Sequence, residues 1–396
     1  MAQRSSSALL SEIDIDEWFD SEEADGPGVE LSDEELSSKY SESQIRIVRS
    51  SLDFALNTLV SLVRDRSYIN LSPGYQRRAR WDRRKKSLLI ESLLMNVPIP
   101  SLFLFEREYN QYEVMDGRQR LEAISEFLED KFSLVGLEFW PELHGKKFSD
   151  LPGTIQRGLL RRTVNSVVLL AETSRTDDLF DIRLILFRRL NTGGVKLNPQ
   201  ELRNALYPGL FNQLLHDLSR SDLFSEVWRI PQKTIDEDDQ PSAQLLKNVL
   251  YRSMMDCELV LRFFSIRNAV NGVLRGSLRQ IFDQTMKMHA EDSEVEIKAL
   301  RSAFETALAR VVEVLGIDFH CLPSGQPSRP LYDALMVAAS NLPQLDLRLD
   351  SVAIRERLVA ALEDAETYDV LVGRGNTLDS IKNRVNVAME ILLGSR

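Results

Sequence analysis

The spacing of apolar residues divides the chain into two regions with different patterns. Between residues 44 and 205, short apolar runs alternate with amphipathic stretches. Beyond residue 205 nearly every apolar run has the three- or four-residue spacing of a helix. The first pattern predicts a small mixed α/β domain at 44–205, and the second predicts a mainly α-helical domain at 206–396. The predicted fold class is therefore α+β.

The pattern also predicts the elements of the first region. Asp82 is placed to cap a helix, and Asn110 and Gln111 are typical of a turn between two strands. The predicted elements are helices at 45–63, from 82, at 118–128 and at 179–190, and strands at 101–106, 111–115 and 164–170.

Residues 1–43 show little apolar periodicity. They carry 13 acidic residues against two basic ones, Arg4 and Lys39, and so account for the net charge of −11 of the whole chain. Such a segment cannot offset its ordering entropy by burial, so a disordered acidic arm is predicted. It is either a solubilising tail or an arm that folds back on basic residues as an electrostatic mimic of nucleic acid.

Basic residues concentrate between residues 64 and 86. This segment contains nine basic residues and only two acidic ones, Asp65 and Asp82. Basic and aromatic side chains interleave in PGYQRRARW, residues 73–81, a pattern typical of base stacking combined with phosphate contact. The alternatives are a solvated helix face and, for Trp81, a core anchor. The predicted nucleic-acid-binding residues are Arg78, Arg80, Arg83, Arg84 and Lys85.

The sequence DGRQR, Asp116 to Arg120, lies between a predicted strand and a predicted helix. The N–H groups and positive dipole end of the helix then point into the turn, which favours an anion. Gly117 permits close approach of a ligand, and the two arginines suit phosphate oxygens. The plain alternative is a helix capped by Asp116 with solvated arginines.

A second polar loop, Asn191-Thr192-Gly193-Gly194, offers backbone amides to a ligand. After it, Asn198, Pro199 and Glu201 have the spacing of a helix start with a capping box.

Several chemistries have no local signature. The four histidines form no zinc or nuclease motif, and there is no phosphate-binding Walker loop. Cys257 and Cys321 are predicted to be reduced core thiols. No apolar run is long enough to cross a membrane, and the N-terminus lacks a signal-peptide pattern, so a cytoplasmic protein without membrane contact is predicted.

Four segments in this order resemble the N-terminal domain of GmrSD-type restriction systems, which has a ParB/sulfiredoxin-like fold. They are YQRRARW, LLIESLLMNVPIPSLFLFE, YEVMDGRQRLEAISEF and FRRLNTGGVKLNPQELRNAL, and the resemblance covers about residues 65–205. It implies a nucleotide pocket shaped by the family's DGQQR motif and a role in defence against phage or modified DNA. The His-Asn-His nuclease domain that many relatives carry has no counterpart, which makes a partner effector protein the expected source of cutting.

Carried over by position, Asp116, Gly117, Gln119 and Arg120 match the family motif, while Arg118 replaces its usual glutamine. That replacement keeps a phosphate-binding group but loses a water-orienting amide, which favours binding over hydrolysis. The assigned phosphate-binding residues are Arg77, Gly117, Arg118, Arg120, Asn191 and Thr192. Asp116 and Gln119 are assigned to catalysis, and Asp116 also to a Mg²⁺ ion.

Three functions remain open from the sequence. The leading one is a protein that binds, or binds and hydrolyses, a nucleoside triphosphate and thereby regulates DNA engagement or a partner effector. The second is a non-enzymatic DNA-binding adaptor, with steep salt dependence and no nucleotide effect. The third is a weak Mg²⁺-dependent nuclease.

Overall fold

A computed structural model describes residues 32–42, 47–65, 68–70, 81–171, 198–235, 237, 241–342, 351–373 and 375–394. Contacts divide the chain into an N-terminal unit at 29–197 and a helical unit from residue 198 onward. A mixed sheet with helices is followed by a mostly helical region, so the predicted α+β class is confirmed. No helix in these ranges is long and apolar enough to cross a membrane.

The N-terminal unit contains five strands and five α-helices among its described residues. In chain order they are α1 (Asp33–Glu42), β1 (Ile47–Ala55), α2 (Leu56–Arg64), β2 (Ile69–Asn70), α3 (Arg83–Leu94), β3 (Leu102–Glu108), β4 (Gln111–Asp116), α4 (Arg118–Leu128), α5 (Gly153–Leu160) and β5 (Thr163–Ala171). Two 3₁₀ turns, Pro141–Leu143 and Phe148–Asp150, lie between α4 and α5.

The strands form one sheet in the order β1-β5-β3-β4-β2. β1 pairs antiparallel with β5, and β3 pairs antiparallel with β4. β3 with β5 and β2 with β4 are parallel, so the sheet is mixed. This order places the end of β4 beside the start of β3, and the two strands together position the DGRQR turn.

Most predicted elements of this unit are confirmed. Asp82 accepts a hydrogen bond from the Lys85 N–H at 2.7 Å and caps α3 as expected. The predicted apolar face of α4 is the buried one, because Leu121, Ile124 and Phe127 are fully buried. The predicted helix at 179–190 lies outside the described residues.

The prediction of one helix over residues 45–63 is wrong. Residues Ile47–Ala55 form β1, and only Leu56–Arg64 is helical. The reason is long-range pairing: every residue of β1 is in register with β5, from Ile47 opposite Ala171 to Ala55 opposite Thr163. Such pairing overrides a local helical pattern.

The predicted disordered arm, residues 1–43, is described only over residues 32–42. There Asp33–Glu42 forms α1, where no regular structure was expected. Its described side chains are exposed.

The helical unit begins at Asn198, whose predicted capping box with Glu201 is confirmed by reciprocal hydrogen bonds of 2.9 Å. The sequence had placed this helix in the first domain. The helices are α6 (Pro199–Leu206), α7 (Leu210–Ser219), α8 (Asp222–Val227), α9 (Ala243–Lys247), α10 (Val249–Arg252), α11 (Met255–Val270), α12 (Leu278–Met288), α13 (Glu294–Leu315), α14 (Arg329–Asn341), α15 (Ser351–Glu363), α16 (Ala365–Val372) and α17 (Leu378–Leu393).

Buried ion pairs join α6 to the rest of this unit. The fully buried Arg203 contacts Glu258 at 3.4 Å and Asp283 at 3.0 Å. On α11, Arg262 contacts Asp333 of α14 at 2.6 Å. Charges this deeply buried require their partners, so α6 depends on α11 and α12. Cys257 is buried and Cys321 partly buried, both as free thiols.

Candidate functional site

The DGRQR turn joins β4 directly to α4 through Gly117. This residue has φ +93° and ψ +9°, a left-handed conformation that glycine adopts without strain. A Cβ atom there would lie 2.3 Å from Leu102 Cδ2, at the start of β3. Both the backbone conformation and the neighbouring strand therefore require glycine. With no side chain, Gly117 cannot cap the first-turn N–H groups of α4.

Arg120 lies under this turn with its side chain only 10% exposed. One of its terminal nitrogens donates to Asp116 Oδ2, and the other donates to the carbonyl of Pro100, just before β3. Arg120 thus ties the first turn of α4 to both neighbouring strands. Asp116 does not cap α4, contrary to the plain alternative considered from the sequence, because its carboxylate pairs with Arg120.

Arg118 has a different environment on the same helical turn. Its side chain is 24% exposed, and its Nε donates to Glu122 Oε1 at 2.7 Å, one turn along α4. Gln119, between the two arginines, is half-buried. The structure therefore brings Asp116, Gly117 and Arg120 into one internal cluster and places Arg118 at its outer side.

The start of α3 carries the described part of the predicted nucleic-acid-binding set. Arg84 is 68% exposed, with Glu138 at 4.0 Å, and Lys85 is exposed with Nζ 5.0 Å from the centre of the Trp81 ring. Arg83 is exposed as a residue and its Nε donates to the carbonyl of Ser133 at 2.8 Å. Trp81 packs against the core, which agrees with the core-anchor alternative.

The other predicted site residues lie outside the described residues. They are Arg77, Arg78, Arg80, Asn191 and Thr192. Their proposed contacts with phosphate or nucleic acid stay predictions.

A divalent metal has few ligands near the turn. Within the described parts of the chain, no group of three or more His, Cys, Asp or Glu side chains is arranged to hold a metal ion. Asp116 is a single carboxylate and already accepts from Arg120. Asp116 therefore suits only a Mg²⁺ ion that is held mainly by substrate phosphates and water and takes a single protein carboxylate as a ligand.

A strip of polar side chains along α3 was not predicted from the sequence. Arg83, Ser87 and Glu91 recur at four-residue spacing and so share one face of the helix. Ser87 Oγ accepts from the N–H of Val135 at 3.0 Å. The signal for Glu91 was a single carboxylate inside the apolar run SLLIESLL.

Glu91 is buried and accepts three backbone N–H groups, from Glu138 at 3.1 Å, Phe139 at 2.8 Å and Trp140 at 2.9 Å. Burial alone would raise the pKa of Glu91, but these donations hold that pKa below its ordinary value. The ionised carboxylate is therefore the form that fixes the loop at residues 138–140.

Comparison with known families gives one match. Residues 56–208 match the family described as GmrSD restriction endonuclease, N-terminal domain. Neither the curated proteins nor the solved structures gave a match. The matched range contains the DGRQR turn, α3 and the sheet between them. As the order of its motifs predicted, the segment at 56–208 belongs to the GmrSD N-terminal domain family.

Proposed function

We propose that the N-terminal unit binds a nucleoside triphosphate at the DGRQR turn, and that nucleotide binding regulates DNA engagement or a partner effector protein. The family match supports the broader role, in restriction or phage defence. The compartment in which this occurs is the cytoplasm.

The observation that carries the nucleotide site is the different pairing of the two arginines. Arg118 is held by an ion pair within α4, and such partly exposed pairs contribute only about 0.3–0.5 kcal/mol. Giving up the Glu122 pair for a phosphate therefore costs Arg118 little. Arg120 is nearly buried and is hydrogen-bonded twice, and separating a buried charged group from its partners costs about 3–5 kcal/mol.

The two arginines accordingly have separate roles. Arg118 contacts phosphate directly, near the positive end of the α4 dipole. Arg120 is a positioning residue that holds Asp116 and the start of β3 in place. This division differs from the simpler expectation that both arginines bind phosphate.

Asp116 and Gln119 are the groups proposed to act on the bound nucleotide. Asp116 is the one carboxylate at the turn that would contact a Mg²⁺ ion carried by the phosphates, and such an ion neutralises phosphate charge. Gln119 would orient the substrate. Arg118 stands where the family motif has a second amide, so the turn keeps a phosphate-binding group but has lost one water-orienting amide, which favours binding over hydrolysis.

A thermal-shift measurement tests nucleotide binding. A ligand that binds only the native state raises the Tm, so the four NTPs with Mg²⁺ are compared on wild type, Arg118→Ala and the control Arg84→Ala. We expect a Tm increase in wild type and in Arg84→Ala and none in Arg118→Ala. An unchanged wild-type Tm with every NTP at millimolar concentration would remove the proposal, and an equal shift in Arg118→Ala would remove the site. Phosphate release from the same samples separates hydrolysis from binding.

A second candidate, the DNA-binding adaptor, is favoured by the exposed basic residues at the start of α3. Arg84 and Lys85 extend into solvent, where they suit backbone phosphates. In this case affinity for DNA falls steeply with salt and is the same with and without NTP.

A further inference from the structure

The loop at residues 133–140, here called the anchored loop, runs along α3. The Ser133 carbonyl accepts from Arg83, the Val135 N–H donates to Ser87, and the N–H groups of residues 138–140 donate to Glu91. These three side chains of α3 hold the loop backbone at successive turns of the helix. The loop is thereby fixed along its length.

The anchored loop presents Phe139 to solvent with 68% of the residue exposed. Single exposed apolar side chains are common, so exposure alone carries no argument. Here, however, the Phe139 N–H is held 2.8 Å from the buried Glu91 carboxylate, and the next residue, Trp140, packs against the core. The buried Glu91 carboxylate therefore holds the backbone of Phe139 in a position that directs its side chain into solvent.

One exposed cation, Arg84, lies on the same side of α3 as the anchored loop. A Cβ at Gly136 would lie 3.0 Å from Arg84 Cγ, so the stem of Arg84 crosses the loop at that glycine. The Arg84 guanidinium then extends toward Glu138, next to Phe139.

We propose that Phe139 and Arg84 at the start of α3 form a binding surface for single-stranded nucleic acid, with a base stacked on Phe139 and a backbone phosphate at Arg84. A single strand is required because an aromatic side chain stacks on an unpaired base, whereas a duplex offers only its backbone to such a surface. The inference rests on the DNA-engaging part of the proposed function and not on nucleotide binding at the DGRQR turn.

Among the described residues, Glu138 is the acidic side chain that pairs with Arg84, and it is itself exposed. Its charge opposes a phosphate and competes for Arg84. The variant Glu138→Gln removes that charge and is expected to bind single strands several-fold more tightly than wild type.

Titration of a labelled 12-nucleotide single strand, and of its duplex, over a range of salt concentrations tests the surface. Phe139→Ala is expected to weaken single-strand binding about five- to a hundredfold without changing the slope of affinity against salt, because no phosphate contact is lost. Arg84→Ala is expected to lower that slope by about 0.7, the value for one phosphate contact on a single strand. The matched control is Tyr109→Ala, another exposed aromatic residue, 91% exposed at the β3–β4 turn.

Each outcome decides the proposal. Wild-type affinity in Phe139→Ala, or an equal loss in Tyr109→Ala, would overturn stacking at Phe139. A wild-type protein that binds neither form of DNA would overturn the surface, while the thermal shift with NTP still decides the nucleotide site. Equal binding of duplex and single strand with no Phe139 effect would leave a purely electrostatic adaptor and would also overturn the proposal.

Discussion

At the DGRQR turn both arginines lie against carboxylates of the same chain segment, Arg120 with Asp116 and Arg118 with Glu122. At the start of α3, Arg84 and Lys85 extend into solvent, and the buried charge belongs to Glu91, which holds the backbone of the anchored loop. The turn thus uses charge to fix its own shape. The α3 surface uses one buried charge to fix a loop and leaves its cations available to a partner.

An arginine in a sequence motif is therefore not by itself a ligand-binding group. The number and burial of its internal partners decide whether it can move to a ligand at low cost. By that measure the partly exposed Arg118 moves more readily than the nearly buried Arg120.

The largest expected effect tests the buried charge of the α3 surface. Glu91→Ala removes the buried acceptor of three backbone N–H groups and is expected to lower the free energy of unfolding by about 3–5 kcal/mol. Urea unfolding measures the change. The control, Glu142→Ala, removes an exposed acid of the following 3₁₀ turn and is expected to cost less than about 0.5 kcal/mol. Equal midpoints for the two variants would contradict the anchoring role.

The second prediction tests the shape of the turn. Gly117→Ala combines a left-handed φ with a Cβ only 2.3 Å from Leu102 Cδ2, and is expected to cost about 2–4 kcal/mol. Gly145→Ala is the matched control, because Gly145 has φ +79° and open space around its Cβ position. Its cost, about 1 kcal/mol, measures backbone strain alone. A Gly117→Ala variant no worse than Gly145→Ala would show that Leu102 moves aside freely.

The third prediction concerns the internal arginine of the turn. Arg120→Met keeps much of the buried stem but removes the donors to Asp116 and to the Pro100 carbonyl, and is expected to cost about 2 kcal/mol. The value is at the lower end for charged hydrogen bonds because Asp116 is partly exposed and regains water. Thermal unfolding together with urea titration measures it. Stability equal to wild type would place Arg120 among the available cations.

The fourth prediction is a pH dependence of the Glu91 contribution. Because the pKa of Glu91 is lower in the folded state, its stabilisation is fully present above the ordinary value of 4.5 and is lost as the pH falls through the folded-state pKa. The stability difference between wild type and Glu91→Gln should therefore be constant above pH 4.5 and shrink as the pH falls below it. Unfolding curves at several pH values would reveal it, and a difference that stays constant below pH 4.5 as well would contradict an ionised Glu91.

The smallest expected effect belongs to Arg118. Arg118→Ala removes the partly exposed pair with Glu122, a loss expected to change the free energy of unfolding by about 0.5 kcal/mol. Urea unfolding of Arg118→Ala and Arg120→Met under the same conditions compares the stability losses of the two variants directly. A loss as large as that of Arg120→Met would remove the distinction between the two arginines.

Local patterns in the sequence predicted α4 to the residue, because a turn glycine precedes it and its buried face has regular spacing. They did not predict β1, since its pairing with β5 is not local in sequence. Helical spacing in the sequence does indicate the burial of Arg120. Arg118 and Arg120 are about 200° apart around the helix, and Arg120 lies on the same face as the apolar Ile124 and Phe127. What the sequence could not supply is the acceptor at Pro100, which depends on the sheet.

The site at α3 shows the same limit. The basic run was visible in the sequence, and Asp82 was correctly read as a cap. The anchored loop was not predicted, because its backbone donors meet Ser87 and Glu91 only after α3 and the loop have packed together. A carboxylate within an apolar run is the one signal that pointed to it.

The ion pairs of α6 bear on how this protein can be divided for experiment. The family match extends to residue 208, but α6 begins the helical unit, and its fully buried Arg203 contacts Glu258 and Asp283. A fragment that ends at residue 208 would contain Arg203 without Glu258 and Asp283. It would also expose Leu202 and Leu206, which are buried in the whole protein, and would therefore be prone to aggregate. A cut at residue 197 ends the N-terminal fragment before α6 and leaves Asn198, with its capping box, at the head of the helical one.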